Sequence, residues 1–183
     1  MRLLLLLAEG FEEIEALGTA DLLRRGGLTV TLCSIGASLE VMGAHGICVR
    51  AEAVLEALDA SGHDGLVLPG GLGGSKRLAA SPAVRALLAA FDAQGKWICA
   101  ICAAPALVLT AAGVLRGRRA TCYPAPEFLH LLGESYAGGK AVVDGRLITA
   151  EGPGRVADFA GAILKALQGE GVARTVLADA RFD

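Results

Sequence analysis

Long hydrophobic runs are missing from this chain. The one candidate for a targeting or membrane segment, Leu3 to Ala8, stops at Glu9-Gly10, well short of the roughly 20 apolar residues that cross a bilayer and of the roughly 7–15 of a signal peptide. Basic clustering is also absent: the formal net charge is −2 with Lys and Arg scattered, which leaves no patch to track phosphates and no support for nucleic-acid binding. No group of His, Cys, Asp and Glu has metal-ligand spacing. The glycines Gly70-Gly71-Leu72-Gly73-Gly74 are followed by Ser75-Lys76, the reverse of the order a phosphate loop needs, so neither metal nor cofactor is expected. Histidine is scarce, and His45, His63 and His130 fall in a hairpin, a loop and a helix, with no sign of a papain-like Cys-His pair. Five cysteines are an odd number, and without a secretion signal they read as free thiols in a reducing, cytoplasmic setting.

What is present is apolar. Hydrophobic residues make up 54% of 183 positions, enough for one domain over 1–183 with a full core. Leu3 to Ala8, bounded by turn residues, has the character of a strand buried on both faces. After it, Glu12–Arg25 reads as a helix stopped by Gly26-Gly27, Leu28–Ser34 as a strand, and Val41–Met42 with Ile47–Val49 as a small hairpin. Ala53–Ala60 is expected to be helical, Asp64–Leu68 a buried strand, Ala83–Gln94 a helix begun by Pro82, and Lys96–Ile101 a further strand. Then come a helix over Ala103–Ala112, a strand near Ala120–Cys122, and a helix around Glu127–Leu132. A hairpin turning at Asp144-Gly145 and a helix from about Val156 to Leu167 complete the pattern. Alternation of this kind predicts an α/β fold: a flavodoxin-like, doubly wound, mostly parallel sheet sandwiched by helices.

Where Ile101 gives way to Ala103, a strand passes into a helix with Cys102 at the junction. Such a nucleophile elbow presents the side chain at the sheet edge. The small neighbours Ala100, Ala103 and Ala104 allow its sharp turn, and Pro105 suits the first helical turn. Backbone N–H groups and the helix dipole there are expected to lower the thiol pKa and, with the Gly70-Gly71 turn, to hold an oxyanion. Cys102 as an ordinary core cysteine is the plain alternative. A thiol-disulfide pair with Cys99 is disfavoured, because residues three apart on a strand point to opposite faces.

A thiolate needs a proton partner. Glu12 and Glu13 open the first helix, where the dipole alone accounts for them. Glu15 lies a turn further in, just outside an inward arc of Ile14, Leu17, Gly18, Asp21 and Leu22 at 100° per residue, and is the better candidate for a functional carboxyl with a raised pKa. Tyr123 is the nearest downstream residue to flank Cys102, with a rim aromatic as its plain reading.

Five ordered segments resemble the DJ-1/ThiJ/PfpI superfamily, most closely its DJ-1-like branch. They are Ala8 to Glu15, Asp21 to Gly27, Val67 to Gly71, Ala100 to Pro105 and Glu151 to Gly154. The resemblance implies a flavodoxin-like homodimer whose reactive cysteine, here Cys102, hydrogen-bonds a protonated glutamate, here Glu15. It also implies that Gly70, Gly71 and the Ala103 amide line the site. Tyr123 stands where some members have histidine, which weighs against a His-dependent peptidase or amidase. The activity implied is a cysteine-dependent, glutathione-independent glyoxalase or deglycase acting on methylglyoxal, glyoxal or early glycation adducts, a lyase without cofactor. The alternative is an oxidative-stress sensor or chaperone acting through oxidation of Cys102.

Overall fold

The computed structural model describes residues 1–182. Five consecutive leucines, Leu3 to Leu7, form most of β1 (Arg2–Leu7). Because side chains alternate along a strand, Leu3, Leu5 and Leu7 enter one core and Leu4 and Leu6 the other. A strand buried on both faces has to lie inside the sheet, and β1 is flanked by β2 (Thr29–Ser34) and β6 (Gly65–Leu68), both parallel to it.

The seven-stranded order is β5-β2-β1-β6-β7-β9-β8, with β5 at Ala53–Val54, β7 at Trp97–Ile101, β8 at Ala141–Asp144 and β9 at Leu147–Ala150. Only β8 is antiparallel, turning back on β9 as the Asp144-Gly145 signal requires. One face is covered by α1 (Thr19–Arg25), α5 (Val156–Gln168) and α6 (Glu170–Asp179). The other carries α2 (Leu72–Ala80), α3 (Pro82–Ala93), the helix after β7, and α4 (Pro126–Leu132). A separate two-stranded hairpin, β3 (Glu40–Met42) and β4 (Cys48–Arg50), stands off the main sheet. Among the described residues no helix is long and apolar enough to cross a membrane.

The chain leaves β1 toward β2 on one side and returns to β6 on the other. The carboxyl ends of β1 and β6 therefore flank a topological switch point, where open α/β sheets place their sites.

Several local readings are corrected. Ala53–Ala60 is a two-residue strand followed by short 3-10 turns; the pairing of Ala53 and Val54 with Cys33 and Ser34 of β2 outweighs its alanine content. Ala120–Cys122 makes only an isolated bridge, Ala120 to Tyr136. Helix α2 grows out of the glycine-rich segment read as a turn, and α6 lies beyond the last expected helix. The first helix opens as a π-helix over Ile14–Gly18, whose wider i→i+5 turn shifts the inward face by about one residue. Glu15, Ala16, Thr19 and Ala20 are buried as a result, while Ile14 is 59% exposed and Asp21 faces solvent.

Candidate active site

Cys102 has φ of 67°, one of two non-glycine residues in the left-handed region among those described. That conformation costs on the order of 1–3 kcal/mol for a side chain with a Cβ and persists only where the surroundings enforce it. They do so from two sides: its N–H donates to the Ala150 carbonyl at 2.9 Å, and its carbonyl accepts the Tyr123 N–H at 2.9 Å. The helix that follows is π-helical over Pro105–Leu109. Irregular turns of this type thus accompany both Cys102 and Glu15, in keeping with the enrichment of π-bulges at functional sites.

Glu15 is fully buried. Its Oε2 accepts the Gly70 N–H at 2.6 Å, its Oε1 is buried without a hydrogen-bond partner of its own, and its carboxyl interacts with the Cys102 thiol. Gly70 is what lets them meet. A Cβ there would run into Glu15 Oε2 and into the Cβ and Sγ of Cys102. Gly71, at φ 81°, needs the freedom of glycine, because a side chain would strike the backbone of Gly10, Phe11 and Glu12.

Burial holds the Glu15 carboxyl up at about 7, with the Glu12 charge adding to that push, while hydrogen bonds with Cys102 and from Gly70 pull the other way. For Cys102, burial raises the thiol, the Glu15 charge raises it further, and only the N–H groups of Gly71 and Ala103 act downward. The helix-start lowering expected from sequence is therefore present but outweighed. A buried acid and a half-buried thiol in contact titrate as one system. Above about pH 7 the pair holds a single proton, and a thiolate forms when that proton resides on Glu15.

All six residues singled out in the sequence meet here. Cys102 and Glu15 touch, Gly70 and Gly71 form the floor, and the Ala103 N–H points at the sulfur. Tyr123 is 47% exposed, with its ring against Gly152; the rim position was legible, its main-chain bond to Cys102 was not. Also unforeseen are Ala150, whose carbonyl acts through the backbone and leaves no sequence signal, and the Glu13-His45 contact at 2.8 Å. Cys99 is fully buried and Cys102 half-buried, and both are free thiols, so no C-x-x-C disulfide joins them. The four other cysteines are free, and only Cys48 is exposed.

The chain as a whole is similar to known proteins. The model of the DJ-1/PfpI family matches residues 1–166. Protein DJ-1 homolog B of Arabidopsis thaliana is 37% identical over 92% of this chain, which spans only 38% of that protein's length; it likewise spans 42% of DJ-1 homolog A from the same plant. The glutathione-independent glyoxalase DJR-1.2 of Caenorhabditis elegans is 38% identical, covering 91% of this chain and 88% of its own. Among solved structures, oxidized DJ-1 of Toxoplasma gondii superposes with a TM-score of 0.93 at 34% identity, covering 97% of this chain and 96% of that one.

Proposed function

Given that the chain belongs to the DJ-1/PfpI family, we propose that it is a glutathione-independent glyoxalase, with Cys102 as nucleophile and Glu15 as proton carrier. The observation that carries this reading is the approach of the half-buried Cys102 thiol to the fully buried Glu15 carboxyl over Gly70, with burial raising that carboxyl to about 7. The similarity to DJR-1.2 supports the choice of reaction.

The chemistry follows from the geometry. The Cys102 thiolate adds to the aldehyde carbon of methylglyoxal, and the new alkoxide takes the Glu15 proton to give a hemithioacetal. N–H groups of Gly71 and Ala103, directed at the sulfur, would stabilise its negative charge, and an alkoxide formed beside it would draw on the same donors. The Glu15 carboxylate then removes the hydrogen from that carbon and returns a proton to the neighbouring one, while the hemithioacetal hydroxyl proton passes to the former ketone oxygen. The aldehyde carbon is oxidised and the ketone carbon reduced, with no outside electron acceptor. Water cleaves the resulting thioester, releasing lactate and the thiol. Raising a carboxyl to about 7 suits it to both halves of this transfer. Deglycation of early glycation adducts would start with the same addition.

We infer a cytoplasmic protein that works as a homodimer on a small aldehyde. Ile14, Met42 and Ile47, exposed by 59%, 43% and 54% around the π-turn and the hairpin, offer an apolar face for a second copy. The reading is tested by following methylglyoxal without glutathione: consumption that requires Cys102 supports it, and consumption unchanged in Cys102→Ala overturns it. A second reading, a redox sensor, draws on the partial exposure of Cys102. It predicts that mild peroxide adds two oxygens at Cys102 ahead of the other cysteines, seen by intact mass.

A further inference from the structure

Glu13 is 4% exposed, yet it is ionised and lies two residues from Glu15 on the opposite side of the same turn. An acid at a helix start ordinarily faces water, where the dipole favours it. This one is turned into the β3-β4 hairpin. Its Oε1 accepts the His45 N–H at 2.7 Å and its Oε2 meets His45 Nδ1 at 2.8 Å. The carboxylate occupies the space a Cβ on residue 43 would fill, so Gly43 is the only residue that admits it. His45 itself is 68% exposed at its side chain and has no share in the core.

The hairpin is tied along the whole segment that leads to the site. Gly10 N–H donates to the Met42 carbonyl at 2.7 Å, Ala44 N–H to the Phe11 carbonyl at 2.8 Å, and Met42 N–H to Glu9 Oε2 at 3.2 Å. On its other side the same segment grips the site floor. The Glu12 N–H donates to the Gly70 carbonyl at 3.0 Å, while Gly70 returns its own N–H to Glu15 Oε2. Residues 9–13 are thus held between an outer hairpin and the inner Gly70 turn. A three-residue-per-strand hairpin is marginal alone; the bidentate Glu13-His45 contact anchors it by charge at the start of the π-turn, with Glu12 Oε2 a more distant second carboxylate, 3.7 Å from His45 Nδ1.

We propose that Glu13 and His45 form a positioning clamp, through which the hairpin fixes the register of the π-turn and so keeps the Glu15 carboxyl buried against Gly70 and Cys102. The clamp rests on reading Cys102 and Glu15 as the reactive pair, and is independent of the substrate. With it broken, the turn relaxes, water reaches Glu15, and the shared proton moves from the carboxyl to the sulfur.

The test is the pH dependence of Cys102 alkylation by iodoacetamide, in full-length protein carrying Cys48→Ser to silence the exposed thiol. In His45→Ala the alkaline plateau falls about three- to tenfold and its midpoint moves acid of the parent's, because a better-hydrated Glu15 ionises earlier and leaves less thiolate. His45→Asn, which keeps a side-chain N–H at the Nδ1 position, stays within about twofold of the parent. Glu13→Gln behaves as His45→Ala. Should it fail to fold, the exposed His45 carries the comparison, and unfolding announces itself by the opposite sign, a faster plateau from an unshielded thiol. A parental midpoint and plateau in His45→Ala, or His45→Asn no better than His45→Ala, overturns the clamp. Normal Cys102 alkylation in a protein that leaves methylglyoxal untouched counts against the glyoxalase reading alone.

Discussion

The Gly70 N–H donates to Glu15 Oε2 at 2.6 Å, and the space above its Cα is filled by Glu15 and Cys102 together. A methyl group at this position has nowhere to go, since the neighbours are a buried carboxyl and a backbone-locked cysteine. Gly70→Ala is expected to lose about 1–3 kcal/mol of stability to overpacking. It should also separate the pair, so that chemical denaturation and Cys102 alkylation change together. A stable variant with parental Cys102 reactivity would show that the close approach is not needed.

Removing the carboxyl changes how the thiol titrates. The coupled pair loses its first proton near pH 7, the value to which burial raises Glu15, and alkylation of Cys102 is expected to rise there with the share of the single-proton form whose proton sits on Glu15. In Glu15→Gln the thiol loses its acceptor and titrates alone, still raised by burial. The limb near 7 disappears, and the rate at about pH 7.5 falls by about tenfold or more. An unshifted limb in Glu15→Gln would assign that titration to another group.

Stability responds to pH in opposite senses at the two acids. Glu15 titrates at about 7 in the folded chain against an ordinary 4.5. Between these values the folded state binds more protons, so its contribution is complete below 4.5 and is lost as pH rises through 7. Glu15→Gln is therefore more stable than the parent at about pH 8, by about 1–3 kcal/mol, and loses that advantage near pH 4.5. Glu13, held at about 2 against 4.5 by hydrogen bonds from His45 that overcome the cost of burial, stabilises above 4.5 and fails as pH falls toward 2. Glu13→Gln flattens that acid limb. Urea titrations across this range read both signs.

Tyr123 serves the elbow through its main-chain N–H, bonded to the Cys102 carbonyl, and through its ring against Gly152. Tyr123→Phe keeps both, and turnover of methylglyoxal is expected within about threefold of the parent, since removing a rim hydroxyl leaves no buried group unpaired. A loss of a hundredfold would place the phenol among the groups that move protons.

Much of the site was legible because the elbow is written in consecutive residues. Ile101-Cys102-Ala103-Ala104-Pro105 carries its own strand end, small neighbours and helix start, and Gly70-Gly71 its own turn. Glu15 was found for a partly different reason from the one that makes it work: at 100° per residue it borders the inward arc, whereas the π-turn buries it fully and pushes Ile14 out. Nothing in a local pattern announces an extra residue in a turn. Glu13 was explained by the dipole, because the partner that buries it, His45, lies 32 residues away. The direction of the Cys102 titration also depended on burial and on Glu15, neither of which the elbow sequence encodes. In the fold, Ala53–Ala60 was misread as a helix and Ala120–Cys122 as a strand, because pairing with distant segments decides each: Ala53 and Val54 pair with β2, and Ala120 makes only one bridge.

Lactate formed from methylglyoxal without glutathione measures both proposed roles, attack of Cys102 on the carbonyl and proton transfer by Glu15. The parent is expected to convert the substrate to lactate, Cys102→Ala to form none, and Glu15→Gln to lose at least about a hundredfold in kcat, within the range removed with a general acid-base. Lactate produced by Cys102→Ala at the parental rate, or a parent that forms none while Cys102 remains reactive, would contradict these roles.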